Sequence, residues 1–248
     1  MTDRPLIWIT GASSGIGRAL AVEYLGAGWR VVGSARNAAG IPEGAVALPL
    51  DVTDRQAVAV VVAGIRERHG AIDLAVLNAG THVPTPGDRL DAEVFRTLFD
   101  LNVMGTVHGL EAVLPGMIER GRGQIAIVSS VAGWSGLPGA GAYGASKAAL
   151  NTLAESLRLD LAHRGVDIRL VCPGFVRTPL TDRNDFPMPF RIEATEAARR
   201  IRLGLASRHR FEISFPRRFT LPMKALRLLP RRAYFGLVSR LTGVGQAT

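Results

Sequence analysis

What most constrains this chain is an alternation: short, wholly apolar runs are followed, again and again, by longer stretches with helical spacing. Leu6–Thr10 is such a run, and Ile16–Leu25 is the helical stretch behind it. Arg30–Ser34 and Ala45–Leu50 read as second and third strands, with a helix over Thr53–His69 that opens on a Thr/Asp start. Asp73–Leu77 leads to a helix over Leu90–Arg120, and Gln124–Ser129 to one over Tyr143–His163. Val166–Cys172 is a sixth strand, Thr195–Ser207 a helix, and Phe211–Phe215 an edge strand closing the sheet. Strands apolar throughout need cover on both faces, which a parallel sheet with crossover helices supplies. The fold class is therefore α/β, a doubly wound parallel sheet. In such sheets ligands gather at the carboxyl ends of the strands, where Thr10, Asn78, Ser130 and Pro173 fall.

The chain has 248 residues, 47% of them hydrophobic, enough for one sizeable core. One domain over residues 1–215, with an extension over 216–248, accounts for the whole length. A single cysteine, Cys172, excludes an internal disulfide and a cysteine-rich zinc site, and the five histidines lack metal-ligand spacing. No signal peptide is evident and no apolar run is long enough to span a bilayer, so a cytoplasmic protein is expected. Charge is placed unevenly. Residues 1–190 carry 17 Lys+Arg against 18 Asp+Glu, and residues 191–248 carry 13 against 3, so the net +9 arises in the last part. Only two of the 30 basic residues are lysines, Lys147 and Lys224.

Lys147 stands four residues after Tyr143, so on a helix the two share a face about one turn apart. Ser130, thirteen residues before the tyrosine, ends the fifth strand. A strand end, a Gly-rich loop and a helix start can thus bring together a hydroxyl, a phenol and an ammonium. A free tyrosine ionises near pH ~10; a neighbouring ammonium stabilises the phenolate, lowering that value and fitting the phenol for acid/base work. Near the N-terminus, Thr10-Gly11-Ala12-Ser13-Ser14-Gly15-Ile16-Gly17 follows the first strand and opens the first helix. Glycines there let the backbone approach a pyrophosphate, whose charge a helix N-terminus favours. The same letters contain G-x-S-x-G, the nucleophile elbow of hydrolases. An elbow needs strands and an oxyanion loop upstream, and only ten residues precede this one.

With both segments in view, the chain resembles the short-chain dehydrogenase/reductase family from about Pro5 to Thr178. The resemblance rests on the T-G-x-x-x-G-I-G turn, Asp51-Val52, Asn78-Ala79-Gly80, Asn102, Ser130, Tyr143-x-x-x-Lys147, Pro173-Gly174 and Thr178. Leu77 departs from it, since many members carry a second Asn before N-A-G. The resemblance implies a Rossmann fold and an oxidoreductase that interconverts a carbonyl and a secondary alcohol. By position, Tyr143 would exchange the proton and Ser130 would hydrogen-bond the reacting oxygen. Lys147 would lower the tyrosine's pKa and hold the nicotinamide ribose, and Asn102 would position a water in a proton relay. Asn102 has a second reading, as a satisfied polar residue at a helix kink. Gly11, Ser13, Ser14, Gly15, Ile16 and Gly17 would cradle the dinucleotide. Asp51 and Val52 would meet its adenine, Asn78, Ala79 and Gly80 its ribose region, and Pro173, Gly174, Val176 and Thr178 its nicotinamide end. Asp51 has a second reading, as the cap of the helix beginning near Thr53. The family also implies a homodimer or homotetramer paired through the helices over 90–120 and 143–163.

Cofactor choice rests on Val32-Gly33-Ser34-Ala35-Arg36, which offers no carboxylate for ribose hydroxyls and ends in an arginine fork suited to a phosphate. NADP(H) is favoured, with Arg18 either assisting or solvated. Trp134, Leu137, His82–Pro86 and Phe186–Phe190 are candidate walls for an apolar substrate; the last group reads equally as core anchors. The basic amphipathic stretch after Phe219 fits a membrane surface or a subunit contact, and the tail is weakly similar to those of hydroxysteroid-dehydrogenase-like members. Two other classes fit the sequence less well. A non-catalytic dinucleotide-binding regulator would be expected to lose Ser130, Tyr143 or Lys147, and none is lost. A nucleic-acid binder should interleave stacking aromatics with its charge, and the tail does not.

Overall fold

The computed structural model describes residues 4–183, 186–207 and 209–243. The first three residues and the last five of the extension lie outside the described residues. The chain runs β1 (Leu6–Thr10), α1 (Gly15–Gly26), β2 (Arg30–Ala35), β3 (Val46–Pro49), α2 (Arg55–His69) and β4 (Leu74–Leu77). It continues through α3 (Ala92–Leu98), α4 (Gly105–Glu119), β5 (Gly123–Val128), α5 (Gly141–Leu161) and β6 (Val166–Pro173). It ends with β7 (Val176–Arg177), β8 (Ile192–Glu193), α6 (Ala194–Ala206), β9 (Glu212–Phe215), α7 (Arg217–Leu226) and α8 (Arg231–Thr242). Seven strands form one parallel sheet in the order β3-β2-β1-β4-β5-β6-β9. The order reverses direction between β1 and β4, where an open α/β sheet leaves a crevice.

Both faces of this sheet are covered, as the apolar strands require. Leu6 and Trp8 of β1 face a layer containing Val58, Val62 and Ile65 of α2, Leu110 and Val113 of α4, and Leu150 of α5. Ile7 and Ile9 face the other, with Leu20 and Tyr24 of α1 and Ala198, Ile201 and Leu205 of α6. This is the two-residue period of a strand with no wet side. The third strand is the exception. It is shorter than the apolar run Ala45–Leu50 and mostly exposed, because it is the sheet's edge.

Two local features differ from what the pattern alone indicates. The helical stretch expected over 90–120 is α3 and α4 joined by a π-helical segment, Phe99–Met104, that contains Asn102. The wider turn belongs with a polar side chain, buried and bonded, inside the helix. The helix-capping carboxylate of α2 is Asp54, not Asp51: its Oδ1 accepts from the Ala57 N–H at 2.9 Å. Such a cap contributes about 1 kcal/mol.

The extension packs onto the sheet. Thr220 and Met223 of α7 are buried, and Met223 belongs to the larger core cluster. Tyr234 and Val238 of α8 are buried in turn, and the Tyr234 hydroxyl donates to the Gly136 carbonyl at 2.8 Å. No helix among the described residues is long and apolar enough to cross a membrane.

Beneath the outer end of β6, Asp167 holds together the elements around it. It accepts from Gln124 at 2.8 Å and from Arg169 Nε at 2.7 Å, and it pairs with Arg158 of α5. The Arg169 side chain is only 4% exposed. Removing one partner of a buried ion pair leaves a charge uncompensated, at a cost of about 3–5 kcal/mol. Asp167→Ala is expected to fall near the lower end, because Asp167 itself is 28% exposed. Asp167→Asn, which keeps an acceptor, should lose less. Urea denaturation of both variants checks this; an alanine variant as stable as the parent would show that the cluster is only a surface pair.

Candidate active site

The strand ends at the reversal open into a cleft of about 410 Å³. Its floor is the turn after β1. Gly11 and Gly15 have φ of +68° and +52°, in the left-handed region that glycine enters without strain. Gly17 serves another need, since a Cβ there would lie 2.2 Å from the Gly11 carbonyl oxygen. It sits behind the turn, whereas Gly11, Ser13, Ser14, Gly15 and Ile16 line the cleft. Thr10 and Asn78 lock the turn against β4. The Thr10 hydroxyl accepts from the backbone N–H groups of Asn78 and Ala79 at 2.9 and 3.0 Å, and the Asn78 amide donates to the Thr10 and Gly11 carbonyls. Asn78 therefore lines the cleft with its amide N–H already engaged by the turn.

The N-terminus of α1 meets the cleft with no side chain capping it and no acidic residue in its first turn. Its free N–H groups and the helix dipole form a site for an anion. Exposed Arg36 follows β2 and lines the cleft together with Leu50, Asp51 and Val52. The Asp51 carboxylate closes a small turn, accepting from Thr53 N–H at 2.9 Å and Thr53 hydroxyl at 2.8 Å, and the Thr53 N–H holds its pKa below the usual value. Arg18 donates to the Gly40 carbonyl at 3.2 Å and stays exposed.

Ser130, Tyr143 and Lys147 all line the same cleft. Lys147 is 4% exposed, and its ammonium donates to the Val128 carbonyl at the end of β5, at 2.9 Å. One turn away on α5, the Tyr143 ring centroid lies 5.7 Å from that nitrogen. Burial pulls the Lys147 pKa down to about 8. Burial also raises the Tyr143 phenol above its ordinary value, with a hydrogen bond to Ser130 pulling the other way and losing. In the chain by itself burial is thus the largest influence on the phenol. His82 sits edge-on to the Tyr143 ring, centroids 4.8 Å apart, and burial lowers its pKa.

Asn102 lies behind the wall, fully buried. Its Oδ1 accepts from Thr81 N–H at 2.8 Å, and its Nδ2 donates to the Thr81 carbonyl and the Ser146 hydroxyl. The side chain thus clamps the segment after β4 to α5. At the far end Pro173, Gly174, Val176 and Thr178 line the cleft, and a Cβ on Gly15 would meet the Thr178 methyl at 3.0 Å. Thr181, which motif spacing does not single out, fixes this end: its hydroxyl accepts from Thr178 N–H and donates to the Val176 carbonyl. Trp134 belongs to the core cluster, beneath the Lys224 ammonium at 5.3 Å, and half-buried Leu137 packs against that cluster; the cleft is lined by other residues. Phe186 and Phe190 are exposed, Phe186 within 6.1 Å of the Phe175 ring.

The family model for short chain dehydrogenases matches residues 5–186. A Myxococcus xanthus protein described as an uncharacterized oxidoreductase is 40% identical over 245 residues, spanning 94% of this chain and 96% of its own length. A short-chain dehydrogenase from Streptomyces avermitilis is similar with a TM-score of 0.82 and 30% identity, over 98% of this chain and 99% of that one. A Burkholderia cenocepacia short-chain dehydrogenase solved in complex with NADP has a TM-score of 0.83 and 25% identity, over 96% of this chain and 99% of its own. With its sheet order, its glycine turn and these matches agreeing, the chain belongs to the short-chain dehydrogenase family of oxidoreductases.

Proposed function

We propose that this oxidoreductase uses NADP(H) to interconvert a carbonyl and a secondary alcohol on an apolar substrate. The observation that carries the reading is the meeting of Ser130, Tyr143 and Lys147 in the cleft onto which the uncapped α1 N-terminus opens. The fit to a dinucleotide rests on that N-terminus, which suits a pyrophosphate, and on Arg36 where an additional phosphate would be received. When bound, the nicotinamide supplies or accepts the hydride. The rest is the work of side chains. Ser130 holds the reacting oxygen, Tyr143 gives it a proton in reduction and takes one in oxidation, and Lys147 supplies a positive charge beside the phenol. Asn102 keeps Lys147's helix in register, and a water-positioning role for it remains part of this reading. Val176, Pro179 and Leu180 support an apolar substrate, since they line one end of the cleft. Exposed Met104 and Leu159, at the two ends of the α4–α5 pair, support the pairing of subunits through these helices.

Tyr143→Phe removes only the transferable proton. It should abolish turnover of a ketone panel while NADPH binding stays within a few-fold; appreciable residual reduction would remove Tyr143 from the acid/base role. The pH dependence follows from the raised phenol. Below its pKa the phenolate fraction grows about tenfold per pH unit, so alcohol oxidation should climb steadily through the neutral range. Carbonyl reduction needs the protonated phenol and should stay level there. Initial rates in both directions across buffers test this, and oxidation that is level at neutral pH would contradict it.

Arg36→Asp would place a carboxylate where the extra phosphate should sit. Charge-assisted hydrogen bonds contribute about 1.5–3 kcal/mol each. The loss in kcat/KM with NADPH should therefore be roughly tenfold to several hundredfold, with NADH unharmed or improved. A parent enzyme that prefers NADH, or a variant that keeps preferring NADPH, would reduce Arg36 to a surface arginine.

A further inference from the structure

The hairpin formed by α7 and α8 has two unlike sides. Its inner side is fixed. Met223, Tyr234 and Val238 are buried, Tyr234 is bonded to Gly136, and Lys224 pairs with Glu212 at 2.7 Å. The turn at its tip, Arg227–Pro230, is itself ordered by hydrogen bonds from Arg227, Leu228 and Leu229 N–H groups to the carbonyls of Lys224, Ala225 and Leu226. That turn holds Leu228 outward at 87% exposure, the most exposed large hydrophobic side chain among the described residues. Leu229 beside it is also exposed, as are Leu221, Phe235 and Leu241 on the two helices. Around them stand Arg217, Arg218, Arg227, Arg231, Arg232 and Arg240, all exposed. From residue 217 to 243 there is no aspartate or glutamate, and among the described residues none of these six arginines has an ion-pair partner.

An apolar tip ringed by unpaired cations specifies what can cover it. A second copy of the chain placed symmetrically on this surface would set arginine against arginine with no acid to separate them. A solvated loop would not present adjacent leucines on an ordered turn. A surface that is anionic outside and apolar just beneath satisfies both features, because the leucines enter the acyl boundary while the guanidinium groups stay with the phosphates. We infer that the α7–α8 hairpin docks this protein, without spanning, on an anionic phospholipid surface, with Leu228 and Leu229 as the inserting tip and Arg227, Arg231 and Arg232 as its headgroup contacts. The inference is independent of the reaction proposed above.

Deleting the hairpin would open the core at Met223, so the test uses the full chain with substitutions at exposed positions. Co-sedimentation is measured with phosphatidylcholine vesicles, with and without phosphatidylglycerol, at two salt concentrations. The parent should bind only the anionic vesicles, and less at high salt. The triple variant Arg227→Gln, Arg231→Gln, Arg232→Gln should partition on the order of a hundredfold more weakly. The double variant Leu228→Ser, Leu229→Ser should also bind more weakly, while melting temperature and NADPH binding of both variants match the parent. Three results would overturn the proposal: no binding of the parent to anionic vesicles, equal binding by parent and leucine variant, or a leucine variant whose only change is a smaller oligomer in solution.

Discussion

The site depends on one buried hydrogen bond, from the Lys147 ammonium to the Val128 carbonyl. It ties the middle of α5 to the end of β5, and the Ser129 hydroxyl, donating to the Lys147 carbonyl at 3.0 Å, ties the same two elements again. Between those anchors Ser130 and Tyr143 have little freedom to separate. The bond also has an electrical consequence. An ammonium with so little access to water is less favoured, relative to its neutral form, than it would be in water, which is why its pKa falls to about 8. The group that fixes the geometry is therefore held near the edge of its own charge state.

Around that bond the wall is assembled from polar side chains spent on backbone. Thr10 and Asn78 satisfy the groups that the glycine turn leaves open, Asn102 does the same for Thr81, and Thr181 for the Val176–Thr178 segment. Loops at strand ends carry backbone donors and acceptors that no ladder reaches, and burying them unmet is costly. The same demand explains the π-helical turn, since a fully buried asparagine inside a helix is tolerable only where the chain can turn it onto a partner.

Much of this was legible in the sequence because two periods were clean. Apolar runs such as Leu6–Thr10 and Gln124–Ser129 fall within a residue or so of β1 and β5, and the glycine turn and Tyr143–Lys147 spacing locate the cleft. What stayed hidden depends on contacts far apart in the chain. Trp134 reads as a substrate wall because it follows Ser130, but Lys224, ninety residues later, roofs its ring and the core takes it. Asp51 and Asp54 are equally good caps by residue type, and only the start of α2 at Arg55 decides for Asp54. The dehydration that raises the Tyr143 phenol is likewise a product of the fold, whereas the neighbouring charge shows in spacing.

Burial of the phenol bears on how such a site works. A phenol pushed down by a charge would stand ready as a base, yet here burial raises it, so at neutral pH it keeps its proton. A protonated phenol is a proton donor, the state that the proposed carbonyl reduction would use. Lowering the tyrosine requires that negative charge on its oxygen be met more strongly than water would meet it, and Lys147 can do so only while protonated. Its ammonium already spends one of its three donors on Val128. A ligand that met the remaining donors would stabilise the lysine's charge, and through it the phenolate.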